Sequence, residues 1–272
     1  MKRAILTQGV VKGTSLTLGA RKVPFSTKVI RIAGLPEDGG KVSHQPRGFW
    51  TAIGIVILYP STWLIGRRRA RGVENLPKSG GALLVLNHVS HLDGPMDAVF
   101  VQRQHRTPQF LVKAGLFKVF FVGTVLRGIG QVPVYRGTAK AADSMSAAVD
   151  ALEAGGTVVI YPEGTITKDP DGWPMSGRTG IARIALATGV PVIPIARWGS
   201  REILDHYHKA FRPLPRKTVT MLVGEPLDLS AYRGKPVTPQ MLREVTDLAM
   251  TRIRELLAEV RDEPAPKDFY RV

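Results

Sequence analysis

The run Gly81-Ala82-Leu83-Leu84-Val85-Leu86 is short, branched and uncharged, and it stops on Asn87-His88. That pattern predicts a buried strand. Other short apolar runs follow at intervals, each separated from the next by a one-faced helical pattern. Phe110-Leu111-Val112 leads into Lys113, Gln131 to Tyr135 leads into Arg136, and Thr157 to Tyr161 leads into Pro162-Glu163-Gly164-Thr165. Val190 to Ile195 and Thr218 to Val223 are further runs, the first with prolines that suit an edge or a strand end. Helical patterns cover Thr138 to Ala154, Ser176 to Thr188 and the stretch after Thr238-Pro239. Strands alternating with helices predict an α/β fold: a mixed, mostly parallel sheet flanked by helices on both faces. In such sheets the chemistry gathers at the carboxyl ends of the strands.

At the end of the first run lies Asn87-His88-Val89-Ser90-His91-Leu92-Asp93. An imidazole accepts a proton near neutral pH, which makes His88 a candidate base, and Asp93 a candidate to orient it. Five residues of ideal helix turn through about 500°, which would hold the two side chains apart. They meet only if His88 sits in the turn before a helix and Asp93 in its first turn. Two other readings stay open on spacing alone. The pair can be a cap and a helix-start charge on a surface turn. His88, His91 and Asp93 can also be part of a metal cluster, although the spacing is off by one from the metallo-hydrolase pattern and there is no cysteine to complete a shell. No metal or other cofactor is expected.

A net charge of +16 predicts an anionic partner. No zinc-finger, basic-zipper or aromatic single-strand motif is present, so a membrane surface or a phosphorylated substrate is expected rather than nucleic acid. Residues 1–47 are basic and aperiodic and read as an arm, with no apolar core of signal-peptide length after the first lysine. Residues 48–71 form a second segment. Gly48 to Gly66 holds no charge, is interrupted by Pro60 and is flanked by Arg47 and by Arg67, Arg68, Arg69 and Arg71. The length is at the lower edge of a bilayer span, and Trp50, Tyr59 and Trp63 are headgroup-level residues. The expected form is a membrane-associated helix in one leaflet with its arginines on anionic headgroups; a single span and a buried helix are the alternatives. Residues 72–272 then make the α/β domain with a terminal amphipathic helix.

Taken in order, four blocks of the chain resemble the glycerolipid acyltransferases, whose best-known members are the 1-acylglycerol-3-phosphate acyltransferases. They are Asn87-His88-x-Ser90-x-x-Asp93, then Lys113 with Gly130 to Arg136, then Pro162-Glu163-Gly164-Thr165, then Val190-Pro191-Val192-Ile193-Pro194. The resemblance covers about residues 72–225. It implies transfer of a fatty acyl group from acyl-CoA or acyl carrier protein to a glycerol-type hydroxyl at the cytoplasmic face of a membrane. His88 would be the general base and Asp93 its orienter. Arg136, Glu163, Gly164, Thr165, Lys113 and Arg178 would bind the acceptor or the phosphates. Val192 and Pro194 would lie on the acyl-donor side. Glu163 would hydrogen-bond the acceptor's hydroxyl or position Arg136, and amides near Gly164 would serve the oxyanion. Ser90 lacks a nucleophile elbow and reads as structural. Ile166-Thr167 departs from the Arg-Ser common in the family and removes one phosphate ligand.

Overall fold

The computed structural model describes residues 48–135 and 141–270; the basic arm expected over residues 1–47, and Arg136, lie outside them. The elements run α1 (Phe49–Ile65), β1 (Gly66–Arg71), β2 (Ala82–Leu86), α2 (Asp93–Arg103), β3 (Pro108–Lys113), α3 (Phe120–Gly128), β4 (Val132–Val134), α4 (Ala141–Glu153) and β5 (Thr157–Ile160). They continue with α5 (Gly180–Thr188), β6 (Val192–Trp198), α6 (Ser200–Ile203), β7 (Leu204–Asp205), β8 (Ala210–Phe211), β9 (Lys217–Val223) and α7 (Pro239–Arg261).

The main sheet has seven strands in the order β1-β9-β6-β2-β5-β3-β4. Strands β6, β2, β5, β3 and β4 run parallel, and β9 is antiparallel to β6 and parallel to β1. The chain leaves β2 toward β3 and later crosses from β5 to β6, so β2 lies where strand order reverses, the place at which open α/β sheets put their ligands.

Every residue of β2 is buried, because alternate side chains enter two separate cores. Leu83 and Val85 pack with residues of α4, α5 and α7. Ala82, Leu84 and Leu86 pack with Phe100 and Val101 of α2. A strand covered on both faces has no polar side to show, which accounts for its uninterrupted apolar run.

Several boundaries differ from the sequence expectation. Helix α5 begins at Gly180, not at a Ser176 cap, because residues 175–176 run extended beside Tyr270. Strand β6 is internal, not an edge. The carbonyl of Pro194 accepts from Gly224 N, and the β6–β9 ladder starts one residue later at Ile195↔Val223. The proline's missing N–H therefore falls just beyond the ladder, on the side where no pair needs it. The arginines after α1 form edge strand β1 against β9. Their exposed charges also block further edge pairing. Thr238 caps α7 as expected, its side chain accepting from Met241 N at 3.1 Å.

Helix α1 passes through Pro60 without a break and buries only Thr62 fully. It packs on α2 and, through Trp50 against Gly128, on α3. Its outward residues Phe49, Val56, Ile57, Trp63 and Leu64 are exposed, as are Phe120 and Phe121 on α3. Among the described residues no helix is long and apolar enough to cross a membrane.

Candidate active site

Three neighbouring strands deliver the site. The turn after β2 brings His88, and helix α2 starts on Asp93, so the side chains meet in the one arrangement their spacing allows. His88 Nδ1 lies 2.9 Å from Asp93 Oδ2. The same oxygen accepts from Val89 N (2.7 Å) and Ser90 N (2.9 Å), so the carboxylate ties its own turn together. Ser90 donates its hydroxyl to Leu204 O and is fully buried, a structural part.

The other oxygen of Asp93 faces β6. It accepts from Ser200 Oγ at 2.6 Å and pairs with Arg197 at 2.7 Å. Gly199, at φ +101°, makes the bend that aims Ser200 inward; a Cβ there would sit 2.1 Å from Thr218 O. Arg197 is completely buried and also pairs with Asp97, one helical turn after Asp93 on α2. Asn87 fixes the strand carrying Arg197, bonding its backbone N–H and carbonyl at 2.8 and 2.9 Å. Tyr161, at the end of β5, donates to Asp97 at 2.6 Å and stacks on His88 with ring centroids 4.2 Å apart.

The two carboxyl groups titrate in opposite directions. Burial raises Asp93, but the Arg197 charge and the His88 and Ser200 bonds outweigh it and hold Asp93 well below the usual carboxylate range. Asp97 is pushed up to about 6, because burial and the Asp93 charge exceed what Arg197 and Tyr161 return. A carboxyl raised in the folded state contributes stability that is complete below its unfolded pKa and lost as pH rises through the folded one. Asp97→Asn is therefore expected to gain stability relative to the wild type as pH rises from about 4 through 6, measured by urea melts across that range. A constant difference would contradict it.

The remaining expected residues fall in different places. Glu163 is 3% exposed, and its oxygens accept from His88 N (3.0 Å) and Met175 N (2.9 Å). It braces two loops across the site; burial pushes it up to about 8 against the pull of those amides. The Gly164 amide, expected for the oxyanion, is given to Tyr161 O at 2.9 Å, closing a turn with φ +75°. Arg178 lies over that glycine, where a Cβ would come 2.9 Å from its Nε, and it is exposed at the rim with Thr165. Lys113 is exposed at the end of β3, separated from β2 by β5. Val192 and Pro194 are buried within the sheet, Val192 against the α5 and α7 core.

Sequence reasoning missed Arg197, Asp97, Ser200 and Tyr161. It also missed the β7–β8 hairpin, whose His206 Nδ1 lies 2.9 Å from His91 Nε2. One signal was visible: Arg197 is a charge inside a run of apolar residues, where a burial without a partner would be prohibitive. Among the described residues no three His, Asp or Glu side chains are grouped to hold a metal ion.

A histidine hydrogen-bonded to a buried carboxylate thus lies at the carboxyl edge of a mostly parallel sheet, the place where α/β folds gather their ligands. Residues 67–198 match the model of the acyltransferase family. The chain is 30% identical over 166 residues to a chloroplastic 1-acyl-sn-glycerol-3-phosphate acyltransferase of Brassica napus, covering 60% of this chain and 44% of that one. It is 32% identical over 150 residues to an uncharacterized protein of Mycobacterium leprae, covering 50% of this chain and 38% of that one. The chain thus spans less than half the length of these curated relatives. Its fold resembles the crystal structure of the 1-acyl-sn-glycerophosphate acyltransferase PlsC from Thermotoga maritima, with a TM-score of 0.60 and 24% identity over 79% of this chain and 81% of that one.

Proposed function

We propose that the protein transfers a fatty acyl group from acyl-CoA or acyl carrier protein to the free hydroxyl of 1-acylglycerol-3-phosphate, giving phosphatidic acid, at the cytoplasmic face of a membrane. The observation that carries the reading is the contact of His88 with Asp93, 2.9 Å at the switch point of the sheet. An ionised Asp93 accepts the Nδ1 proton, so Nε2 is the nitrogen that takes one from the acceptor hydroxyl. As that proton leaves, the oxygen forms its bond to the thioester carbonyl carbon. The C–S bond then breaks and the imidazolium returns the proton to the departing thiolate. No covalent intermediate on the enzyme is required. The matching relatives named for this activity support the acceptor, and Arg136 and Arg178 are the residues we assign to its phosphate.

The test is thioester consumption by the purified full chain in detergent, with lysophosphatidic acid and with lysolipids that lack a phosphate. Preference for the phosphorylated acceptor, lost in Arg136→Ala, is expected. Equal rates on all acceptors with a silent Arg136→Ala would remove lysophosphatidic acid as the substrate.

The exposed apolar residues of α1 and α3, with the exposed arginines of β1 that follow α1, support docking on an anionic bilayer. Burying each Phe in lipid contributes about 2 kcal/mol. Phe120→Ser with Phe121→Ser is accordingly expected to weaken flotation with vesicles containing anionic lipid by 10-fold or more, by order of magnitude. Unchanged flotation would take α3 out of the docking face.

A further inference from the structure

The contacts around His88 close into a circuit. His88 meets Asp93, Asp93 meets Arg197, Arg197 meets Asp97, Asp97 accepts from Tyr161, and the Tyr161 ring lies back on His88. Holding Asp93 in place needs one cation. A second buried carboxylate on the same guanidinium leaves the trio with an excess negative charge, a costly arrangement for a part that only braces α2 against β6. Arg197 and Asp97 are shut off from the surface, at 0% exposure, so neither can touch a substrate. Any influence they have on the reaction passes through Asp93.

We infer that Arg197 and Asp97 are positioning residues that set how strongly Asp93 holds a proton on His88, with Asp97 drawing part of the guanidinium's charge away from Asp93. The inference rests on the reading of His88 as general base, but its own readout is independent of turnover. With Asp97 present, Arg197 is shared, and more of the Asp93 charge is left to favour the imidazolium. Removing the Asp97 charge concentrates Arg197 on Asp93, so His88 gives up its proton at lower pH. Removing a donor from Asp93 has the reverse effect. The groups that bear on His88 are Asp93 and Asp97 from α2, Tyr161 and Glu163 from β5 and the loop after it, Arg197 and Ser200 from β6 and α6, and the neighbouring pair His91 and His206. The test perturbs the second, third and sixth of these and leaves the others in place.

The experiment is an NMR titration of the His88 ring in the full chain in detergent, assigned by its loss in His88→Gln, with the pH profile of kcat/KM beside it. Asp97→Asn is expected to move the His88 midpoint, and the acid limb with it, down by about half to one pH unit. Tyr161→Phe keeps the ring but drops the bond that favours the Asp97 carboxylate; Asp97 then holds its proton to higher pH and loses charge, so the midpoint is expected to shift the same way as in Asp97→Asn by less. Ser200→Ala is expected to shift the midpoint up. Opposite signs from neighbouring buried sites are not what a brace produces, since loosening a brace lowers the melting temperature without ordering the midpoints. Folded Asp97→Asn and Tyr161→Phe proteins with an unmoved midpoint, or shifts of one common sign in all three variants, would overturn the inference. If Asp97→Asn does not fold, Tyr161→Phe against Ser200→Ala decides by sign. A wild type that shows these shifts but transfers no acyl group to any acceptor would sink the proposed function and leave the circuit's role intact.

Discussion

His88→Ala is expected to lower acyl transfer by about 10³-fold while the protein stays folded and still floats with vesicles. General-base assistance is typically worth about 10²–10⁴-fold, and the neighbouring imidazoles His91 and His206 bond each other, not Asp93. The loss belongs to kcat, because the base acts on the hydroxyl as the bond forms and not while the acceptor binds. Stability should change little. The ring contributes one hydrogen bond and one stacking contact, and its removal leaves Asp93 with Val89 N, Ser90 N, Ser200 and Arg197. The carboxylate is then still satisfied, so the turn before α2 keeps its shape. Steady-state kinetics with a melting curve on the same sample separates the two effects. A variant retaining more than about a tenth of the activity would mean that the hydroxyl loses its proton elsewhere.

The contrast with Asp93 shows what a sequence can carry. The meeting of His88 and Asp93 was legible because it depends on five residues of local chain and on a strand whose burial is written in its composition. The layered α/β fold was legible for the same reason: periodicity of 2 and of 3.6 is a local property. What placed Arg197 beside Asp93 is long-range. Strand β6 lies next to β2 because of a crossover, and Asn87 and Arg197 are joined across 110 residues of chain. The prolines of β6 suit an edge or a strand end, and neither reading points to this neighbour. The amide bonds of Glu163 were hidden for a related reason. A glutamate after a strand looks like a ligand for something outside, and only the folded loops show that each of its oxygens accepts from a backbone amide. The run Phe120-Phe121-Val122 in α3 has a composition that a core, an acyl wall and a membrane face share, and its exposure rules out the core.

Arg197→Met is expected to destabilise the protein by about 3–5 kcal/mol, the second large effect and one felt in folding before catalysis. Methionine fills much of the same volume, so the loss is electrostatic and not a cavity. It leaves Asp93 and Asp97 buried side by side without a cation, and like charges in a dry site cannot both stay ionised. Asp97, already raised to about 6, protonates first and can then donate, which limits the damage but costs the circuit its charge. In a domain of this size the loss corresponds to a melting temperature lower by roughly 10 °C. The double variant Arg197→Met with Asp97→Asn should recover part of that, since it removes one of the stranded carboxylates. A double-mutant cycle in urea therefore reads the coupling directly. If Arg197→Met alone cost under about 1 kcal/mol, water or another cation would have to reach Asp93, and the buried pair could not be what keeps that carboxylate ionised against His88.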